Sequence, residues 1–157
     1  MSENEQKEVG AAPQEDPNRC RRNLEKAIAA VKEALPGMML LENEPMSAHS
    51  SFRIGGPVRA LAVPEDVISL SRLCSLLKDN HIAPMMLGNG TNILFPDEGL
   101  AELFLVSTEK LQKMFLLPDG AIYAEAGVPL ARLASFAQQN ALAGDRKSTR
   151  LNSSHAT

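Results

Sequence analysis

The spacing of apolar residues predicts two helices in the first half of the chain. Apolar side chains recur every three or four positions from Leu24 to Leu35, which places them on one face of a helix that begins at Asn18 or Arg19. A second helix is predicted after Pro64-Glu65-Asp66, where acidic residues suit the positive end of a helix dipole. The apolar face predicted for this second helix consists of Val67, Leu70, Leu73, Cys74 and Leu77.

Short apolar runs predict strands between and after these helices. Residues 58–63, 82–87, 103–106 and 121–124 have this pattern, and the second of these runs is predicted to be a buried strand. A last helix is predicted from Pro129 onward. Its apolar face is expected to contain Leu130, Leu133, Ala134, Ala137 and Ala141. Strands that alternate with helices predict an α+β domain, α/β-like in character, with helices packed on a small sheet.

Composition and charge narrow the classes of function. Residues 1–18 are acidic, contain prolines and have almost no large apolar side chain, so we expect this segment to be disordered. A net charge of -3 and an aromatic content of 4% argue against a nucleic-acid partner. No apolar run approaches the roughly 18 residues that a membrane span needs. The polar N-terminus also differs from a secretory signal, so we expect a cytoplasmic protein with no membrane partner.

Cysteines and histidines give no sign of a metal site. Cys20 and Cys74 form no CxxC motif, so we expect buried or incidental thiols rather than a disulfide or a zinc ligand set. His49, His81 and His155 lie far apart in the sequence. We interpret His49 as a residue that hydrogen-bonds the loop following it, and His81 as part of a helix-to-strand connection.

The segment that carries the most chemical information is Gly88-Asn89-Gly90-Thr91-Asn92, directly after the predicted strand 82–87. Because glycines lack Cβ atoms, successive peptide N–H groups can converge on an anion at close range. Thr91 and Asn92 add hydroxyl and amide donors that suit phosphate oxygens. The loop has neither the GxGxxG order of a Rossmann fingerprint nor the Gly-Lys-Ser/Thr ending of a P-loop. Taken alone, the loop is weak evidence for a phosphate site, and a tight turn between strands is the favoured interpretation.

Two further blocks flank this loop. His49-Ser50-Ser51-Phe52-Arg53-Ile54-Gly55-Gly56-Pro57 stands upstream, and Ala126-Gly127-Val128-Pro129-Leu130 stands downstream. In order and approximate spacing, from about residue 41 to 144, the three blocks resemble the N-terminal part of the UDP-N-acetylenolpyruvoylglucosamine reductase family. That family has His-Thr-Ser-Phe-(Arg/Lys)-Ile-Gly-Gly, then Leu-Gly-x-Gly-Ser-Asn-x-Leu, then Ala-Gly-(Val/Ala). Ser50 and Thr91 depart from this pattern but keep the hydroxyl group.

The resemblance implies a truncated FAD-binding domain of the PCMH type, which is vanillyl-alcohol-oxidase-like, over residues 19–144. The cofactor-binding residues that it implies are Gly88, Asn89, Gly90, Thr91 and Asn92 at the pyrophosphate, and Arg53, Ile54, Gly55, Gly56, Ala126 and Gly127 along the cofactor. Seen alone, the glycines at 55–56 and 127 could be an ordinary turn and a strand end, and Arg53 a surface cation. In an intact homologue, replacing Gly88 or Gly90 by valine is expected to abolish flavin retention.

The resemblance also implies a reaction. The family uses NADPH and FAD to reduce the enolpyruvyl ether of UDP-N-acetylglucosamine to UDP-N-acetylmuramate for peptidoglycan synthesis. Its catalytic serine, arginine and glutamate lie beyond the position of Gly144, so no catalytic residue is expected in this chain. Residues 145–157 match the translation of a common sequencing adapter from Asp145 to His155, which we interpret as a non-native tail; an exposed basic linker is the alternative. We therefore expect the chain alone to be inactive and to bind FAD weakly or not at all.

Two other functions are compatible with the same motifs. One is another FAD-dependent oxidoreductase of the same fold, which the block at residues 49–57 disfavours. The other is a stand-alone nucleotide-binding module without catalysis, which the adapter-like ending disfavours.

Overall fold

The first predicted helix is confirmed as α1, Pro17–Ala34, in a computed structural model that describes residues 17–142. Leu24, Ala27 and Val31 on its apolar face are fully buried. The predictions for residues 1–18 and 145–157 fall outside the described residues, apart from residues 17 and 18, which open α1.

A mixed four-stranded sheet forms the centre of the fold. Its strands are β1 Met39–Pro45, β2 Pro57–Val63, β3 Met85–Leu87 and β4 Leu100–Ser107, in the order β1-β2-β4-β3. Strand β1 is antiparallel to β2, whereas β2 and β3 are both parallel to β4. The α+β prediction with a small sheet is therefore confirmed, and β2 lies where the apolar run predicted it.

The two faces of the sheet are covered by different kinds of structure. Side chains alternate along a strand, so Ala60 and Ala62 of β2 pack with α1 and with α2, Val67–Asp79, while Leu61 belongs to the opposite face. That opposite face is covered by irregular segments, which contribute Met46 from the β1–β2 connection and Phe95 from the β3–β4 connection. These two connections contain the first two motif blocks.

Helix α2 begins directly after Pro64-Glu65-Asp66, as predicted, but buries a narrower face than the sequence predicts. Its N-cap is Asp66, whose carboxylate accepts a hydrogen bond from the Ser69 backbone N–H at 2.7 Å. This bond and those from the Ser69 side chain lower the pKa of the Asp66 carboxyl group. Leu73 and Leu77 are buried, but Cys74 is exposed, so its assignment to the apolar face was wrong.

His81 ends α2 in a left-handed conformation with φ +58, and its prediction as part of a helix-to-strand connection is confirmed. The His81 N–H donates to the Lys78 carbonyl at 2.9 Å, and the Ile82 N–H donates to the Leu77 carbonyl at 2.8 Å, which together form a Schellman C-cap. Glycine is the residue that this position favours.

We expect His81→Gly to raise the free energy of unfolding by roughly 0.5 to 1 kcal/mol, because glycine removes the left-handed strain at a small entropic cost in the unfolded chain. Urea denaturation of the whole chain measures this change. His81→Ala is the matched control, since it removes the imidazole but keeps the Cβ. Equal stability of the two variants would contradict the explanation.

Strand β3 is shorter and more exposed than predicted. It covers only the end of the predicted strand 82–87, and Met85 and Met86 are 38% and 47% exposed, with only Leu87 buried. The physical reason is that β3 lies at the edge of the sheet, where β4 is its single neighbour. Strand β1 was not predicted, because Glu42, Asn43 and Glu44 interrupt its apolar pattern.

The last part of the described chain forms a hairpin and a helix. Strands β5, Met114–Leu116, and β6, Ile122–Ala124, are antiparallel, and the Phe115 and Tyr123 rings stack with centroids 4.6 Å apart. Helix α3, Leu130–Gln139, confirms the last predicted helix, but none of its residues is buried and Leu130 is 56% exposed. Strand β5 was not predicted.

Candidate cofactor-binding site

The glycine loop, defined as residues 88–92, leaves the sheet at the carboxyl end of β3. Strands β2, β3 and β4 run in the same direction, so their carboxyl ends lie together along one side of the sheet, the carboxyl edge. The Leu87 carbonyl is fixed there by the Thr108 N–H at 2.9 Å and the Thr108 hydroxyl at 3.3 Å. In sheets with parallel strands, ligands commonly bind outside this edge.

Gly90 joins the loop to the first motif block. Its φ of +61 is left-handed, and a Cβ added there would lie 2.0 Å from the His49 carbonyl oxygen. The Ser51 N–H donates to the Gly90 carbonyl at 3.1 Å. Two segments that are separated by some forty positions are therefore in direct backbone contact, and glycine is required by this contact.

Gly55 and Gly56 make a second junction between the same two segments. The Gly56 N–H donates to the Pro96 carbonyl at 2.9 Å, and a Cβ on Gly56 would lie 2.2 Å from the Asp97 carbonyl oxygen. A Cβ on Gly55, whose φ is +130, would lie 2.6 Å from the Cβ of Phe95. The glycine pair is thus a packing junction that holds residues 95–97 against the start of β2.

The third block reaches the glycine loop through Thr108. A Cβ on Gly127 would lie 2.0 Å from the Thr108 carbonyl oxygen, and the Gly127 N–H donates to the Leu111 carbonyl at 2.9 Å. Thr108 is also the residue that binds Leu87 at the base of the loop. Ala126 is exposed beside the buried Gly127. Sequence reasoning did not identify Thr108, since a threonine after a strand carries no distinctive pattern.

Gly88 differs from the other motif glycines. A Cβ added to Gly88 would have no atom within 4 Å, and its φ is not left-handed. Nothing in the described fold therefore requires a glycine here. Asn89, Thr91 and Asn92 are also exposed.

The peptide N–H groups of the glycine loop have no partner within the part of the chain that the structure describes. None of the backbone N–H groups of residues 88–92 donates a hydrogen bond to residues 17–142. The side chains of Asn89, Thr91 and Asn92 make no hydrogen bond to those residues either. The loop is exposed apart from the buried Gly90, and a run of unengaged donors of this kind suits an anion.

Arg53 is presented by a tight turn beside this loop. The Ser50 carbonyl accepts a hydrogen bond from the Arg53 N–H at 3.0 Å, and the Ser50 hydroxyl oxygen accepts one from the Phe52 N–H at 3.2 Å. Arg53 has a left-handed φ of +53 and an exposed side chain, and it forms no ion pair with the described residues. The next side chain, Ile54, is 50% exposed.

His49 has a different partner from the one that the sequence suggests. Its Nε2 atom lies 2.9 Å from Oε1 of Glu44, which precedes it on β1, rather than contacting the loop that follows. Only the His49 backbone carbonyl faces the glycine loop, at Gly90.

Residues 17–142 contain no group of three or more histidine, cysteine, aspartate or glutamate side chains arranged to hold a metal ion. In the same range, no helix has the length and apolar character needed to cross a membrane.

Comparison with known proteins identifies the relatives of this chain. No family model matches it. It is 37% identical over 105 residues to the UDP-N-acetylenolpyruvoylglucosamine reductase of Carboxydothermus hydrogenoformans, an alignment that covers 67% of this chain and 34% of the relative. The proteins of the same name from Pelobacter propionicus and Thermotoga maritima are each 38% identical, over 68% and 64% of this chain and 36% and 34% of their own lengths.

All three relatives are reductases by name, so the chain is related to a class of reductases. The chain spans little more than a third of the length of these relatives. The particular family follows directly. The chain belongs to the UDP-N-acetylenolpyruvoylglucosamine reductase family and corresponds to a fragment of its members. The resemblance inferred from the three motif blocks is confirmed.

Proposed function

We propose that this chain is the part of a UDP-N-acetylenolpyruvoylglucosamine reductase that binds the pyrophosphate of FAD, within a PCMH-type, vanillyl-alcohol-oxidase-like domain. The observation that carries the proposal is the row of peptide N–H groups at residues 88–92, none of which is engaged by the described chain. Such a row, on a loop that leaves the carboxyl edge of the sheet, suits a phosphate anion.

The donor set fits a diphosphate. Thr91 and Asn92 add side-chain donors to the peptide N–H groups, and residues 88–92 contain no carboxylate that would repel the ligand. Arg53 supplies the positive charge that two phosphates need, since its guanidinium has no carboxylate partner in the described chain. Gly88, whose Cα faces open space, allows the cofactor to approach the backbone closely.

The other motif residues position the loop or line the cofactor in this proposal, rather than donate hydrogen bonds to the diphosphate. Gly55, Gly56 and Gly127 keep the motif segments in backbone contact, which fixes the loop's position. Ile54 and Ala126 are exposed apolar groups that would lie along the flavin cofactor.

In the longer protein, bound FAD would supply hydride transfer from NADPH to the enolpyruvyl ether of UDP-N-acetylglucosamine, giving UDP-N-acetylmuramate for peptidoglycan synthesis in the cytoplasm. The residues of this chain bind and orient the cofactor. The proton-donating and substrate-binding groups would belong to the part of the family that this fragment does not span.

A hybrid protein tests the proposal. In this hybrid, residues 17–142 of the present chain replace the matching segment of the Thermotoga maritima relative, which is 38% identical over 101 residues. We expect a folded hybrid to retain about one FAD per polypeptide after gel filtration and to oxidise NADPH only when the enolpyruvyl substrate is present. A hybrid that melts cooperatively but carries no flavin would refute the proposal. If the 157-residue chain itself bound FAD or ADP tightly, a stand-alone nucleotide-binding module would be favoured instead.

Arg53→Gly in the hybrid separates a role in binding from a role in folding. Glycine suits the left-handed backbone at this position, so we expect the thermal midpoint to stay the same or rise. The affinity for FAD should fall about tenfold, because a charge-assisted contact to phosphate is lost. Arg53→Lys is the control and should bind FAD more tightly than Arg53→Gly. Unchanged affinity in Arg53→Gly would remove Arg53 from the site.

A further inference from the structure

We propose that Glu44 and His49 form a clamp that positions the glycine loop for its anion, although neither side chain belongs to the loop. The ligand part of this inference rests on the proposed function, but the clamp itself is a property of the free chain. His49 Nε2 and Glu44 Oε1 are 2.9 Å apart, and both side chains are about three-quarters shielded, with 22% and 24% exposed.

One end of the clamp is anchored in the sheet. Glu44 lies on β1 and is paired with Val58 of β2, which is 1% exposed. Its backbone is therefore held by the strand ladder. The carboxylate projects from this fixed position to the histidine five residues later.

The other end of the clamp bears directly on the glycine loop. His49 ends the 3-10 turn Met46–Ala48, and its N–H donates to the Met46 carbonyl at 3.0 Å. Its own carbonyl faces Gly90, at the place where a Cβ could not fit. In the turn that follows, the Ser51 N–H donates a hydrogen bond to the Gly90 carbonyl. A displacement of His49 must therefore move Gly90, and with it the N–H groups on either side.

Two backbone bonds, from the Met46 and Ser47 N–H groups to the Gly56 and Gly55 carbonyls, both 3.1 Å, close the base of the segment that presents Arg53 beside β1 and β2, and the Ser51 N–H joins it to Gly90. The bonds from Phe52 and Arg53 both end on Ser50, so they stabilise the turn but do not tie it to the sheet. The bond from His49 to Glu44 is the side-chain tie between this segment and β1 among the described residues. We therefore assign Glu44 and His49 as positioning residues.

Amide hydrogen exchange of the 157-residue chain tests the clamp without any ligand. We expect His49→Ala and Glu44→Ala each to speed exchange of the Ser51 and Arg53 amides about tenfold, through local opening, with the β2 and β4 amides unchanged. The double variant should exchange no faster than either single variant, because both changes break the same interaction. His49→Gln, which can still donate to Glu44, should restore slow exchange.

Glu65→Ala is the matched control, because it removes the Lys110–Glu65 ion pair, 3.1 Å, at a different place on the surface. It should leave the Ser51 amide unchanged. Unaltered exchange at Ser51 in His49→Ala would overturn the clamp. A uniform increase across the sheet would also overturn it, since that result indicates general destabilisation.

The same variants in the hybrid test the link to the cofactor. His49→Ala is expected to release FAD about five to ten times faster, with His49→Gln close to the unchanged hybrid. If the unchanged hybrid binds no FAD, the proposed function fails while the exchange result still decides the clamp. If the hybrid binds FAD and His49→Ala releases it at the original rate, the positioning role is wrong.

Discussion

Gly90→Ala is expected to lower the free energy of unfolding by about 2 to 4 kcal/mol, the largest stability loss that we predict. Two costs add at this residue. An alanine would hold a left-handed φ of +61, and its Cβ would meet the His49 carbonyl oxygen at 2.0 Å. That neighbour is backbone and cannot rotate away, so the motif segments must separate. Urea denaturation of the whole chain, followed by circular dichroism, measures the loss.

Gly120→Ala is the control that isolates the first of these costs. Gly120 has a left-handed φ of +84, but a Cβ there would have nothing within 4 Å. We expect it to lose only about 1 kcal/mol from backbone strain. Equal losses in the two variants would mean that the contact between Gly90 and His49 contributes nothing.

Gly88→Val is expected to have the largest effect on binding, with little effect on folding. The added side chain would stand in open space, so the free energy of unfolding should change by no more than about 0.5 kcal/mol. In the hybrid, the same side chain would occupy the space that the diphosphate needs. We expect the dissociation constant for FAD, measured by flavin fluorescence, to rise about 100-fold.

Gly37→Val provides a matched control for Gly88→Val. Gly37 also has no atom within 4 Å of an added Cβ and no left-handed φ, but it lies in the turn between α1 and β1. It should retain FAD as the unchanged hybrid does. If Gly88→Val bound FAD equally well, the loop would not be the pyrophosphate site.

The sequence predicts helices and strands well where a single spacing of apolar residues dominates the segment. The period of α1 and the apolar run of β2 are strong because each packs a continuous surface against the core. Strand β1 escapes prediction because Glu42 and Glu44 interrupt its apolar pattern, and the ion pairs that they form with Lys32, Arg59 and His49 depend on the fold. The exposure of Met85 and Met86 could not be predicted either, because it depends on β3 being an edge strand.

The sequence identifies the motifs of the candidate site, but it does not show which residue of a motif has which role. From the sequence, Gly88 and Gly90 are equivalent, so valine at either position is expected to abolish flavin retention. The fold separates them, because only Gly90 faces a backbone carbonyl. Likewise, the partner of His49 depends on the path of β1, which the sequence pattern did not reveal. These distinctions arise from contacts between distant segments, which local patterns do not encode.

A crystal structure of the FAD-loaded hybrid decides whether residues 88–92 bind the pyrophosphate of FAD. We predict that diphosphate oxygens lie within about 3 Å of peptide N–H groups in this loop, the normal length of such hydrogen bonds. The Arg53 guanidinium should reach the same phosphates. A structure in which the diphosphate lies elsewhere, with the loop N–H groups facing solvent, would rule out residues 88–92 as the pyrophosphate site.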